Sequence, residues 1–155
     1  MSSTLRTIDR GARGLLASLE AVKRSVIRVG ILSDGAKRAR SSSPGRLSLV
    51  AVAALHEFGT DRLPRRSFIR DTVNLRLAEI QQLQRVVTRA VLTAKISPDQ
   101  AAAQFGAKVV AMMQRRISGR IAPELAASTI LRKGSSVPLV DTGQLKASIT
   151  WKAEA

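Results

Sequence analysis

Asp141-Thr142-Gly143 is the triplet that carries the catalytic aspartate of retroviral-type aspartic proteases. In that chemistry a second copy supplies the partner carboxylate, and two carboxyls sharing one proton activate a water. Asp141 also stands three residues before Gln144, and D-x-x-Q is a capping box that starts a helix. Length separates the two readings. The protease fold places its triplet early and builds most of its domain afterwards, whereas only Gln144 to Ala155 follow here. We therefore read a cap, with a short helix from Thr142. His56-Glu57 opens a zinc H-E-x-x-H pattern, but position 60 is Thr and the pattern fails. Glu57 is then expected to pair with charge near a subunit contact. With no cysteine and one histidine, the sequence offers no disulfide framework, no thiolate site and no His-based metal site. No cofactor is expected.

The elements that must position these residues follow from periodicity. Thr4 to Val22 carries an incomplete helical stripe, best from Ala12 onward because Gly11 and Gly14 weaken it. Ser25 to Ser33 alternates, with Ile27, Val29 and Ile31 on one face, which reads as a strand. From Arg46 a helix is expected, with Ser43 and Pro44 as cap and first position. Its apolar positions go nearly all the way round: Leu47, Val50, Ala51, Ala54, Leu55 and Phe58 on one stripe, Leu49, Val52 and Ala53 beside it. Such a helix is covered on several sides, by core or by another subunit. Gly59 ends it.

Ser67 is placed to cap a long helix reaching about Ala94, along which Ile69, Val73, Leu77, Ile80, Leu83, Val87 and Val91 step by three and four. Ser97-Pro98-Asp99-Gln100 is a strong helix start, and that helix stops at Gly119 with Arg115, Arg116 and Arg120 at its end. Those cations suit the negative end of the helix and are also able to touch phosphates. Pro123 is expected to open a further helix ending at Gly134. After Leu145 the period changes to two, with Ala147, Ile149, Trp151 and Ala153 on the dry face of a closing strand. The fold class is α+β: a small antiparallel sheet packed against several helices, including one long helix. A single domain spans 1–155, with an N-terminal helical arm at 1–24 and basic loops at 34–45 and 60–66.

Net charge is +15, with +9 up to residue 70 and +6 beyond it. The excess is spread along the chain and favours polyanionic partners, nucleic acid or an acidic protein surface. Aromatic residues are 3% with no Tyr, which disfavours recognition by base stacking. The longest apolar run, Leu49 to Leu55, is too short to span a bilayer, and no signal peptide is evident, so assembly in a reducing cytoplasm is expected.

Two separated blocks resemble one family. Glu57-Phe58-Gly59-Thr60, then Pro64, then Phe68-Ile69-Arg70 is similar to an "E-F-G-T…P-x-R-P-F-[IL]-R" block. Arg132-Lys133-Gly134, then Pro138-Leu139-Val140-Asp141-Thr142-Gly143, then Leu145, Ser148 and Ile149 is similar to "R-K-G…P-L-[VI]-D-T-G-x-L-x-x-S-I". Both blocks, in this order and spacing, resemble the neck and tail-completion proteins of long-tailed bacteriophages. Ser67 stands where that family often has proline.

The resemblance implies a structural subunit of the virion without catalysis, not an enzyme, repeated as a ring that is commonly six-fold. The ring would complete the tail and join it to the head connector or head-completion protein on one side. The tail tube or tail terminator would lie on the other, with packaged DNA passing through the lumen and no membrane involved. Assembly would occur in the bacterial host cytoplasm. Subunit or partner contacts are then expected at Leu49, Val52, Glu57, Phe58, Gly59, Arg65, Arg66 and Phe68. Gly134, Asp141, Thr142, Gly143, Leu145 and Ile149 form the structural cap and closing strand. Lys37, Arg38, Arg40 and Arg62 are candidates for contact with DNA or an acidic surface. The alternatives are a tail-terminator subunit of the same particle and a basic nucleic-acid-binding protein.

Overall fold

The computed structural model describes residues 11–32, 47–119, 121–134, 139 and 143–154. Among them run helix α1 (Ala12–Arg24), strand β1 (Val26–Gly30), α2 (Leu49–Phe58), α3 (Ile69–Leu75), α4 (Leu77–Leu92), α5 (Pro98–Ser118), α6 (Ala127–Lys133), α7 (Gln144–Ala147) and β2 (Thr150–Glu154). The α+β class expected from periodicity is the one observed. β1 and β2 pair antiparallel, with Ile27 opposite Ala153 and Val29 opposite Trp151. The two alternating stretches at opposite ends of the sequence thus form one sheet.

α5 is the spine. Its start is the capping box read from the sequence. Ser97 Oγ accepts from the Gln100 N–H at 3.1 Å, and the Gln100 side chain accepts from the Ser97 N–H at 3.0 Å. Along its 21 residues it buries Ala102, Val109, Met113 and Ile117 among others, and it meets both strands of the sheet. Trp151 of β2 lies against Gly106 so closely that a Cβ at that position would overlap the indole ring. The larger core cluster joins Ala53, Phe68, Val109, Met113, Ile117, Ile121, Leu139, Leu145 and Ile149. A smaller one joins Val87, Val91 and Ala101, with Val22 of α1 at its edge.

Several expected boundaries move. α2 begins at Leu49 rather than Arg46, because Ser48 supplies the cap: its Oγ accepts from the Ala51 N–H at 3.1 Å. Residues 33–46, which hold Ser43 and Pro44, lie outside the described residues. The long helix from Ser67 to Ala94 is two helices. At Arg76 the backbone leaves the helical region, with φ −119° and ψ 22°, and the two halves fall out of phase. Val73 and Leu77 consequently stay exposed, and α4 buries only Val87 and Val91.

Pro123 does not open a helix. It follows a cis peptide, its carbonyl and that of Glu124 accept from Arg66, and α6 starts later, at Ala127. Gly134 ends α6 as expected, in the left-handed conformation. The closing strand starts at Thr150, since Ala147 still belongs to α7. α1 lies on the surface and buries no residue, leaving Leu15, Leu16 and Leu19 exposed. The arm's first ten residues lie outside the described residues. Among the described residues no helix is long and apolar enough to cross a membrane.

Candidate functional site: the corner between α2 and α3

α2 runs into a tight loop that returns as α3. The first turn of any helix leaves N–H groups without intrahelical partners. Phe68, at the start of α3, contributes no side-chain cap. Glu57, on the last turn of α2, supplies it from eleven residues upstream. One carboxylate oxygen accepts from the Ser67 hydroxyl at 2.6 Å and the Arg70 N–H at 2.9 Å. The other accepts from the Phe68 and Ile69 N–H groups, both at 3.0 Å. Burial by itself would raise the Glu57 pKa. The Ser67 hydroxyl and the N–H groups of Ile69, Arg70 and Phe68 outweigh it, and the carboxyl titrates below its ordinary value of 4.5.

The expected cap at Ser67 therefore becomes a relay. Its hydroxyl donates to Glu57, and its oxygen accepts weakly from the Asp71 N–H at 3.3 Å. The Thr72 hydroxyl donates back to the Phe68 carbonyl.

The loop between the helices is closed in the same way. Thr60 and Leu63 exchange backbone hydrogen bonds, and the Arg66 N–H donates to the His56 carbonyl at 2.8 Å. Gly59 sits at φ 76°, and a Cβ there would lie 2.9 Å from the Arg65 nitrogen, so glycine is required on both counts. Arg66 reaches inward, its Nε donating to the Pro123 carbonyl at 2.9 Å. Asp71 on α3 pairs with Arg116 on α5 at 3.0 Å and ties the corner to the spine.

Three expected surface contacts are thus internal. Glu57 is 6% exposed, Arg66 5% and Phe68 0% within a single chain, because each is satisfied by or packed into that chain. They shape the corner and leave little of their own surface for a subunit contact. What remains outward is apolar. Phe58 is 66% exposed, with the Arg70 guanidinium 5.4 Å from its ring centroid. Val50 and Ala54 are exposed too, and steps of four place them on the side of α2 that ends at Phe58; Leu47, just before the cap, is also exposed. Leu49 and Val52 are half-buried, as is Gly59, while Arg62 and Arg65 are exposed in the loop. Of the stripe read from the sequence, Leu47, Val50, Ala54 and Phe58 are exposed, while Ala51 and Leu55 are half-buried.

The second block meets the first through the core. Leu139, Leu145 and Ile149 share a cluster with Phe68 and Ala53. Gly143, at φ 75°, precedes α7. Asp141 and Thr142 lie outside the described residues, as do Lys37, Arg38 and Arg40; the helix expected from Thr142 starts instead at Gln144, because Gly143 before it is left-handed and no side chain caps it.

Sequence reasoning placed Ser67 at the helix start but missed its bond to Glu57, and missed Thr72 and the Asp71–Arg116 pair as parts of the corner. A usable signal was present: an acid ending one helix, a glycine turn, then a serine opening the next. Among the described residues no three metal-ligating side chains come together. No family model matches the chain, and neither does any curated protein or solved structure.

Proposed function

We propose that this chain is a structural subunit of a bacteriophage neck. It would repeat as a ring that completes the tail and joins it to the head connector, with DNA passing through the lumen. The observation that carries this reading is the outer stripe of α2. Val50, Ala54 and Phe58 of α2, and Leu47 just before its cap, are exposed in their own chain, beside a corner held by the Glu57 carboxylate. A row of this kind costs free energy in water and favours association once a partner covers it. Aromatic side chains are enriched at the centres of such contacts, and Phe58 is the largest in this one. The resemblance of the two sequence blocks supplies the particle, and the stripe supplies the means of repetition.

Electron microscopy of the purified protein should show rings. Particles made without the protein should accumulate as separate heads and tails. Replacing Phe58 by Asp should leave a folded monomer that makes no rings. Normally joined particles in the absence of the protein, or a chain monomeric at every concentration, would overturn the reading.

A further inference from the structure

A second feature lies away from the α2 stripe and does not depend on ring formation. An open cleft of about 570 Å³ lies between the α3–α4 elbow and the C-terminal end of α5, lined by Leu75, Arg76, Glu79, Arg115 and Arg116, with the buried Thr72 at its base. Three arginines from two elements that are far apart in the sequence line it, together with Glu79.

Their commitments differ. Arg76 pairs with Glu79 at 2.7 Å, but both side chains are close to half exposed. An exposed pair of this kind is worth about 0–1 kcal/mol, so an arriving anion displaces it readily. Arg116 is held by Asp71 through one terminal nitrogen, while its Nε is buried without an acceptor among the described residues. Arg115 is exposed and forms no ion pair with a described residue.

We propose that this cleft binds the phosphodiester backbone of duplex nucleic acid, independently of base sequence. The +15 charge spread along both halves of the chain suits a long polyanion better than a single acidic patch. The scarcity of aromatic residues leaves backbone neutralisation as the mode of contact, without base stacking. The competing role for Arg115 and Arg116 is to balance the carbonyl end of α5. That role affects stability and makes no demand on DNA.

The test uses the full chain and a labelled random-sequence duplex, titrated by fluorescence anisotropy across a salt series. The double variant Arg76→Gln with Arg115→Gln is compared with Arg85→Gln plus Arg89→Gln. The second pair removes the same charge from exposed positions of α4, away from the cleft. Thermal melts confirm that both variants fold. The cleft variant should bind roughly tenfold or more weakly near 0.1 M salt, and its salt slope should fall by about 2, since each lost phosphate contact removes close to one released counterion. The control pair should shift affinity by less than about threefold. Inorganic polyphosphate should compete with the duplex, and poly-glutamate of equal charge should compete poorly. Equal weakening by the two pairs, no duplex binding, or poly-glutamate competing as well as polyphosphate would each overturn the proposal.

Discussion

The inner and outer sides of the last turn of α2 invert the usual partition. Glu57 and Phe58 are consecutive, yet the carboxylate is buried and the phenyl ring is out in water. A buried charge is costly only when unsatisfied. Glu57 meets four donors, three of them N–H groups that the start of α3 would otherwise leave unpaired. Among the described residues the exposed ring has no comparable compensation beyond the Arg70 guanidinium near it. One side of the corner is therefore complete in a single copy and the other is not. Each substitution below tests one side against the other.

The largest effect should come from the inside. Glu57→Ala removes the acceptor for four buried or half-buried donors at once, and we expect a loss of about 3–5 kcal/mol. Chemical denaturation would measure it. A loss below about 1 kcal/mol would mean that water replaces the carboxylate, and that the corner is not held by it.

Phe68→Ala comes next. The ring is fully buried among Ala53, Leu145 and Ile149 of the main cluster, and truncation should cost about 3–5 kcal/mol through lost contacts and a residual cavity. The two phenylalanines flanking the loop should thus differ by several kcal/mol in stability. Similar costs for Phe58 and Phe68 would erase the distinction drawn between the two sides.

The acid limb of the stability curve sharpens the same contrast. Because the folded pKa of Glu57 is depressed, protonation favours the unfolded chain. Its contribution is fully present above the ordinary carboxyl value of 4.5 and is lost as pH falls through the lower folded value. The stability difference between wild type and Glu57→Gln should therefore be widest at neutral pH and shrink below about pH 4.5. Melting temperatures from pH 7 to pH 3.5 would show it. A difference that stays constant through the acid range would assign the variant's defect to shape rather than charge.

The sequence made some of this legible and hid the rest for physical reasons. Signals confined to a few neighbouring residues read correctly. Ser97 to Gln100 capped α5, Gly134 stopped α6, and the alternation around Ile27 and around Trp151 marked the two strands. Interactions closed through space did not read. The cap of α3 comes from Glu57 on another helix, and the carbonyls after Ala122 answer to Arg66, more than fifty residues upstream. Periodicity also marked the apolar residues of α2 without saying which of them face out. An apolar helix looks alike whether its own chain or a neighbour covers it. The break at Arg76 lacks the glycine or proline that would have announced it.

The smallest effect on stability should be at Phe58, and it is the most informative. With 66% of the residue already exposed, Phe58→Ala removes little buried area from the monomer, and the melt should shift by no more than about 1 kcal/mol equivalent. Some of that shift reflects the lost stacking with Arg70, which at an exposed site is worth about 0.5–1 kcal/mol. Association should respond far more strongly, because truncating an aromatic at the centre of a contact commonly costs about 2 kcal/mol or more. Sedimentation of the variant and the wild type over a range of concentrations separates the two quantities. A folded Phe58→Ala chain that still assembles like the wild type would show that the stripe is not the contact. A chain that unfolds would show that the ring is held by its own chain after all, and that the two sides of the corner are less different than their exposures imply.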